Sequence, residues 1–298
     1  MNSSARFLLC ALVATALWYV VQWWLLARRQ QPPRTPRAPE LALGFVTNFF
    51  DTLGIGCFAP TTAAFKLFRR VPDEMIPGTL NVGHALPALT EAFIFIAVVT
   101  VEPVTLVSMI AAAVLGAWYG AGIVARLPRR AVQLSMGGAL IAAALTMLTT
   151  NLGWMPGGGT ATGLFGARFL VAVVANFVLG ALMTLGVGLY APCLALVCLL
   201  GMSPLAAFPI MMGSCAFLMP VGGVRFIRRG RYSQRAAIGL ALGGIPGVFL
   251  AAPLVNWMSM VWLRWLVVVV VLYAAALMLR SGYAPLERAV PVPSPPPL

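Results

Sequence analysis

The chain has 298 residues, of which 61% are hydrophobic and 9% charged, and its formal net charge is +13. A soluble domain of this length cannot bury so much apolar surface, and several segments exceed the roughly 18 apolar residues that indicate a membrane-spanning helix. The basic residues lie in short stretches between apolar segments, which is typical of cytoplasmic loops rather than of a nucleic-acid-binding surface. The composition therefore predicts a polytopic membrane protein in contact with the lipid bilayer, with no nucleic-acid partner.

Residues 1–40 predict one spanning helix followed by a cytoplasmic linker. Residues 7–27 are apolar and lack a small-residue cleavage site, which favours a retained helix over a signal peptide. The stretch "RRQQPPRTPRAPE" (28–40) is rich in proline and arginine, which indicates an extended cytoplasmic segment. The proline-rich end of the chain, residues 281–298, predicts a disordered cytoplasmic tail.

Between these ends the chain contains one pattern twice. The motif "TLGIGCFAP" (52–60) returns as "TLGVGLYAP" (184–192), and the same offset of 132 residues aligns further prolines beyond the motif. Unrelated hydrophobic segments resemble each other by chance, but their glycines and prolines do not align in this way. We therefore expect a first repeat at 41–150, an external glycine-rich loop at 151–166 and a second repeat at 167–280.

The positions of the arginines indicate how the segments cross the membrane. If the segment at 41–68 crossed once from the cytoplasmic linker, Arg69 and Arg70 would lie outside, against the positive-inside rule. If 41–68 and 167–201 instead turn back at the repeated motifs, every basic loop lies inside. The limb before the first turn would be about 20 Å long, which is shorter than the hydrocarbon core of roughly 30 Å. We therefore predict a re-entrant helical hairpin in each repeat, with glycine in the turn and proline in the first turn of the returning helix.

One hairpin and three crossings make an odd number of crossings, so the second repeat is expected to be inverted relative to the first. The predicted fold is an all-α polytopic membrane protein with two inverted repeats, each a re-entrant helical hairpin plus three spanning helices, preceded by one extra N-terminal spanning helix. The N-terminus would lie outside and the C-terminus in the cytoplasm. Paired broken helices in inverted repeats are typical of secondary transporters, whose substrate site lies at the repeat interface.

Four motifs are informative: "GFVTNFFDTLGIGCFAP" (44–60), "IPGTLNVG" (76–83), "GAWYGAGIVARLPRRAV" (116–132) and, in the second repeat, "PIMMGSCAF" (209–217). In these motifs the sequence resembles the sulfite exporter TauE/SafE family of bacterial membrane permeases. The resemblance covers about 41–280. It implies a secondary transporter in the bacterial inner membrane for a small anion such as sulfite or an organosulfonate.

The sequence departs from the run of glycines that the family usually has after the turn. Cys57 and Phe58 follow the first turn, and Leu189 and Tyr190 follow the second. We expect this departure to bear on the identity of the substrate rather than on the fold.

Ionisable groups at membrane depth are costly and are therefore candidates for function. We assign proton coupling to Asp51, His84 and Glu91, with Asn81, His84 and Glu91 spaced to share one helical face. Three simpler interpretations stay open: Asp51 caps a broken helix, His84 is a satisfied core histidine, and Glu91 is solvated at the outer interface.

An anion is expected to bind at the N-termini of the two returning half-helices, where free N–H groups and the positive end of the helix dipole meet. The predicted substrate-binding residues are Gly54, Gly56, Pro60, Thr61, Thr62, Thr79, Asn81, Gly186, Gly188, Pro192 and Ser214.

Other functions fit the sequence less well. A transporter of a cation or a neutral solute would use Asp51 and Glu91 as direct ligands, and a non-transporting membrane scaffold would have no use for two matching broken helices. The five cysteines lack metal-ligand spacing, His84 is the single histidine, and no nucleophile is paired with a base. We therefore expect no enzyme activity, no metal and no cofactor; assembly into a homo-oligomer stays open.

Overall fold

The computed structural model describes residues 3–30, 35–120, 129–152, 159–183 and 188–283. In these ranges the regular structure is helical, apart from one isolated bridge between Ala161 and Met202. The α-helices are α1 (Ser3–Gln30), α2 (Ala38–Thr52), α3 (Phe58–Leu67), α4 (Ile76–Gly83), α5 (Ala85–Val98), α6 (Pro103–Leu115), α7 (Arg129–Asn151), α8 (Gly166–Met183), α9 (Tyr190–Leu199), α10 (Pro204–Arg228), α11 (Gln234–Trp257) and α12 (Met260–Tyr283).

Six helical segments in the described part of the chain are long and apolar enough to cross a membrane. They are Arg6–Arg28, Ile76–Val98, Gly166–Met183, Pro204–Arg228, Gln234–Val255 and Arg264–Tyr283. The prediction of an all-α, multi-pass membrane protein is confirmed. The segment Gly166–Met183, which the sequence analysis assigned to one limb of a hairpin, is itself long enough to span.

The predicted linker is shorter than expected. Helix α1 continues to Gln30 and α2 already begins at Ala38, so helix occupies both ends of the stretch 28–40. Pro39 does not prevent this, because it lies in the first turn of α2, where its missing N–H has no helical partner in any case. The predicted tail beyond residue 283 lies outside the described residues.

The first repeated motif breaks the helix between α2 and α3. Gly54 and Gly56 have φ angles of +92° and +89°, a left-handed conformation that only glycine adopts at low cost. Helices α3 and α9 begin at equivalent residues, and Pro60 and Pro192 are the third residue of each. Proline therefore lies in the first turn after both breaks, as expected from the sequence.

The outer ends of each broken pair lie side by side. At the first pair, an Arg70 nitrogen lies 3.7 Å from Glu40 Oε1, which joins the end of α3 to the beginning of α2. At the second pair, a Cβ atom on Gly201 would lie 3.5 Å from the guanidinium of Arg168, which joins the end of α9 to the beginning of α8. The end of α3 therefore lies near the start of α2, and the end of α9 lies near the start of α8.

Helices α4 and α5 follow each other as one apolar helical segment, which is interrupted at His84. Pro87 explains the break, because it has no N–H to donate to the carbonyl of Gly83 and its ring crowds that carbonyl. The helix continues on either side, since His84 N–H bonds Leu80 O at 3.0 Å and Ala88 N–H bonds His84 O at 2.9 Å. The break places the His84 ring in the interior, where it is fully buried.

Helices of the first half of the chain pack against helices of the second half. Helix α2 packs along α11 and helix α8 packs along α6, while α5 packs on α10 and α7 on α12. Glycine allows the closest approaches: Gly243 lies against the carbonyl of Leu41, and Gly180 lies against the carbonyl of Ala113, where a Cβ atom would clash with backbone. The broken helices are thus held by helices of the other half.

Candidate functional site

The carboxylate of Asp51 lies at the first helix break. Its Oδ1 accepts a hydrogen bond of 2.8 Å from the backbone N–H of Cys57, the residue that precedes α3. Asp51 is 2% exposed. Asp51 therefore makes the contact that the helix-cap interpretation predicts. This contact does not decide whether the charge of Asp51 has a further role.

The imidazole of His84 is held at both nitrogens. Nδ1 lies 3.0 Å from Asn48 Oδ1 and Nε2 lies 3.1 Å from Thr61 Oγ1. The amide of Asn48 is oriented by its own donation to Gly44 O at 2.7 Å, so its oxygen faces the ring as an acceptor. His84 therefore donates from Nδ1, and in its neutral form Nε2 accepts from the Thr61 hydroxyl.

The carboxyl group of Glu91 joins one helix from each of the two sequence repeats. Its Oε1 lies 2.9 Å from Thr52 Oγ1, at the end of α2, and its Oε2 accepts a 2.7 Å hydrogen bond from the hydroxyl of Tyr190, the first residue of α9. Glu91 is 0% exposed. It is buried among helices, so the interpretation of Glu91 as a solvated interfacial residue is wrong.

Thr52 can accommodate Glu91 in either protonation state. Its Oγ1 also lies 2.8 Å from Asn48 O, yet a hydroxyl has a single hydrogen to donate. When Thr52 donates to Asn48 O, its oxygen can accept from a protonated Glu91; when it donates to Glu91 Oε1, it can stabilise the ionised carboxylate. The exchange needs only a rotation of the hydroxyl hydrogen.

These contacts form one connected group, which we call the central polar chain. Its members, in order of contact, are Thr61, His84, Asn48, Thr52, Glu91 and Tyr190. It runs from α3 through the α4–α5 break and α2 to the start of α9, so both repeated motifs touch it. All six side chains are buried, and His84 is the one member that can carry a positive charge.

The remaining residues of the first predicted anion site lie around this chain. The amide of Thr61 bonds Cys57 O and Pro60 has no N–H, so Phe58 and Ala59 carry the α3 amides that have no partner among the described residues. Thr62 is half-buried. Gly54 contacts Leu194, Met211 and Phe208 in the core.

The two later motif glycines, Gly56 and Gly188, occupy equivalent positions in the repeats and both face open space. No heavy atom of the described chain lies within 4 Å of the place where their Cβ atoms would be. At the second break, Pro192 occupies the place of Pro60. Gly186 lies outside the described residues.

Three predicted substrate-binding residues lie elsewhere. The hydroxyl of Thr79 donates to Met75 O and accepts from Ser233 N–H. Asn81 bonds Pro77 O in its own helix, so it does not continue the His84–Glu91 face as the helical spacing suggested, since the helix is broken at His84.

Ser214 also lies away from the central polar chain. Its hydroxyl donates to Ile210 O at 2.7 Å and accepts from Asn176 Nδ2 at 3.2 Å. The Asn176 amide also donates to Met109 O, and its buried Oδ1 has no hydrogen-bond partner in the part of the chain that the structure describes. Ser214 therefore belongs to a second buried polar contact among α6, α8 and α10.

The sequence analysis did not assign Asn48, Thr52 or Tyr190 to the site, although it noted Tyr190 as a departure from the family pattern. A usable signal was present for Tyr190, since the repeats differ there by one hydroxyl: Phe58 occupies the equivalent position. Asn48 and Thr52 are four residues apart on the helix that carries Asp51, a spacing that places polar groups on one face. In an apolar segment such a face is itself a candidate site.

The helices and the buried polar chain define a multi-pass α-helical membrane protein with broken helices around a polar centre, the class to which secondary transporters belong. A family model described as Sulfite exporter TauE/SafE matches residues 2–147 and 168–297. The chain belongs to this family of membrane sulfite exporters, and the match extends beyond the 41–280 that the motifs covered. No curated protein and no solved structure shows significant similarity.

Proposed function

We propose that the chain is a proton-coupled secondary transporter of a small anion, such as sulfite or an organosulfonate. The observation that supports this best is the central polar chain, because it connects the first helix break, the α4–α5 break and the start of α9 through hydrogen bonds. Broken helices in a membrane survive where protein or a water-filled cavity covers their free backbone groups. A substrate path along these breaks would meet both repeated motifs.

We further propose that α2–α3 and α8–α9 are re-entrant hairpins in inverted repeats. The ends of α2 and α3 lie together beside the loop between α10 and α11, because Arg37, Arg70 and Arg229 line one cavity there. The ends of α8 and α9 lie beside the loop between α5 and α6, since Glu102 N–H bonds Thr162 O and Ser203 N–H bonds Ala161 O. Equivalent loops thus serve opposite hairpins, as inversion requires.

The anion would bind between the N-termini of α3 and α9. An α-helix leaves the amides of its first turn without an intrahelical partner, and α3 and α9 each have proline as their third residue. The two helix dipoles favour negative charge at these ends. The open space at Gly56 and Gly188 leaves room for a ligand beside each break.

Protons would accompany the anion through Glu91 and Asp51, with His84 as a relay. Glu91 fits its surroundings in both protonation states because the Thr52 hydroxyl can reverse its donation. Protonation would neutralise the carboxyls while the anion passes, which explains acidic rather than basic residues next to an anion path. We place the protein in the bacterial inner membrane, with its N-terminus outside and its C-terminus in the cytoplasm.

A transporter of a cation or neutral solute is the second candidate. It is favoured by the acids at the centre, since Asp51 and Glu91 are both buried near the first break. A cation would bind these carboxylates directly and would not need the helix N-termini.

Purified protein in proteoliposomes distinguishes the two functions. We expect uptake of radiolabelled sulfite or of an organosulfonate to follow an imposed proton gradient and to be inhibited by other small oxyanions. Sulfate, carboxylates and monovalent cations provide the comparison set. Accumulation of a cation with no anion flux would establish the second candidate in place of the first.

A further inference from the structure

A second charged feature lies at one face of the protein, away from the central polar chain. A cavity of about 870 Å³ opens between the start of α2, the end of α3 and the loop between α10 and α11. Six arginines and one glutamate line it, a net formal charge of +5: Arg37, Arg69, Arg70, Arg228, Arg229, Arg235 and Glu40. We call it the arginine cavity.

Positive loops of membrane proteins retain the chain on the cytoplasmic side, and an exposed arginine anywhere in the loop serves that purpose. Concentration of six arginines around one concavity goes beyond this requirement. Three separate segments contribute them, so their approach depends on the folded structure rather than on one basic run. The one acid of the cavity is Glu40. Its Oε1 lies 3.7 Å from an Arg70 nitrogen, and its Oε2 accepts a 2.9 Å hydrogen bond from the backbone N–H of Arg37.

Arg69 provides an independent observation. It has a φ of +47°, a left-handed conformation that is costly for a residue with a Cβ atom, and it directly follows the cap of α3. The equivalent residue after α9 is Gly201, with a φ of +93°, where the conformation costs little. One repeat thus keeps a strained arginine where the other has glycine, and backbone strain of this kind persists mainly at functional positions.

Arg235 provides a second one. Its Nε is buried and has no hydrogen-bond partner among the described residues. The residue lies in the first turn of α11, whose preceding residue, Ser233, makes no side-chain cap. An unpaired guanidinium donor next to an uncapped helix start calls for an acceptor that carries negative charge.

We propose that the arginine cavity binds an oxyanionic group, with Arg69 and Arg235 as direct ligands. Planar guanidinium groups suit the oxygens of sulfite, sulfate or phosphate. The group would be either a free dianion or the phosphate of an anionic lipid headgroup. This site is distinct from the central polar chain, and its occupancy does not depend on transport.

The test measures the binding of inorganic phosphate or sulfate to purified protein in a neutral detergent. The unfolding temperature at constant ionic strength reports this binding. A bound ligand raises that temperature with concentration. We expect Arg235→Gln and Arg69→Gly to weaken the apparent affinity about tenfold or more, the loss of one charge-assisted hydrogen bond. Arg69→Gly should at the same time leave the unliganded protein as stable or more stable, because it relieves the left-handed strain.

Arg231→Gln is the matched control, because Arg231 is an exposed arginine of the same loop that does not line the cavity. It should bind like the wild type. A second measurement, in nanodiscs, asks whether phosphatidylglycerol stabilises the protein more than phosphatidylcholine does, and only when Arg69 and Arg235 are present. If it does, and free phosphate has no such effect, the bound oxyanionic group is the phosphate of the lipid headgroup. The proposal is overturned if neither probe stabilises the wild type, or if Arg231→Gln lowers affinity as much as Arg235→Gln.

Discussion

Tyr190 donates a 2.7 Å hydrogen bond from its hydroxyl to Glu91 Oε2, which ties the first residue of α9 to the middle of α5. Phe58 occupies the equivalent place at the start of α3 and has no hydroxyl to donate. The repeats therefore share a backbone plan but contribute different chemistry to the centre. The second repeat supplies the donor and the first supplies the acid.

Tyr190→Phe tests this contact by making the two repeats alike. It leaves one buried oxygen of Glu91 without its donor, which should lower the free energy of unfolding by about 1 to 3 kcal/mol. We also expect a changed pH dependence of transport, because the environment of the Glu91 carboxyl changes. Denaturation and proteoliposome flux measure the two effects, with Tyr273→Phe on a half-exposed helix face as the control. An unchanged pH profile would separate the hydroxyl from proton coupling.

Asp51→Asn and Glu91→Gln test the proton path. An asparagine oxygen can still accept from the Cys57 N–H, so the cap survives and only the charge is removed. Asp51→Asn should abolish pH-dependent transport while slow exchange of substrate persists, and Glu91→Gln should shift the pH optimum. Flux under an imposed proton gradient is the measurement. Wild-type rates and pH profiles in both variants would leave Asp51 as a helix cap and nothing more.

Thr61→Val removes the hydroxyl that faces His84 Nε2 at 3.1 Å while preserving the shape of the side chain. Transport affinity for the anion should fall, because the imidazole loses one of its two partners at the start of α3. Cys198→Val, more than one turn beyond Cys193, which is the equivalent of Thr61 in α9, should have little effect on affinity. Substrate titrations of flux compare the two variants, and equal affinities would place the anion away from the first break.

The topology can be tested with single cysteines in a cysteine-free background. A cysteine introduced in place of Gln31, Arg70 or Ser281 should resist an impermeant thiol reagent added outside. A cysteine in place of Thr160 should react. The reason is that both ends of the α2–α3 pair lie together on the side with the arginines. External labelling at position 70, with position 31 protected, would contradict the re-entrant hairpin.

Glu102 predicts an acid-sensitive contribution to stability outside the spanning helices. Although partial burial tends to raise its pKa, hydrogen bonds from Thr105 N–H, Val104 N–H and the Thr105 hydroxyl prevail and hold the pKa below its usual range. The folded protein therefore gains stability above the unfolded-state pKa of about 4.3 and loses it as the pH falls through the lower folded value. Glu102→Gln should lower the unfolding temperature at pH 7 and approach the wild type near pH 3. A constant difference over this range would exclude the charge as the cause.

The sequence was informative where backbone chemistry decides the structure. Glycine and proline positions predicted both breaks and the starts of α3 and α9, because few other residues suit a left-handed turn or a first helical turn. The interruption at His84 was missed, although Pro87 signals it. The partners of Glu91 could not be predicted, since Thr52 and Tyr190 lie 39 and 99 residues away in the chain and meet Glu91 only in the folded structure.

The close backbone contact of Gly243 with Leu41 has a mechanical consequence. Helices α2 and α11 touch without intervening side chains, so one cannot move relative to the other without breaking contact along its length. We expect them to move as a single rigid body during a transport cycle, although one comes from each repeat. The hinge between the moving parts of the protein would then cut across both repeats, and would not follow the boundary between them in the sequence.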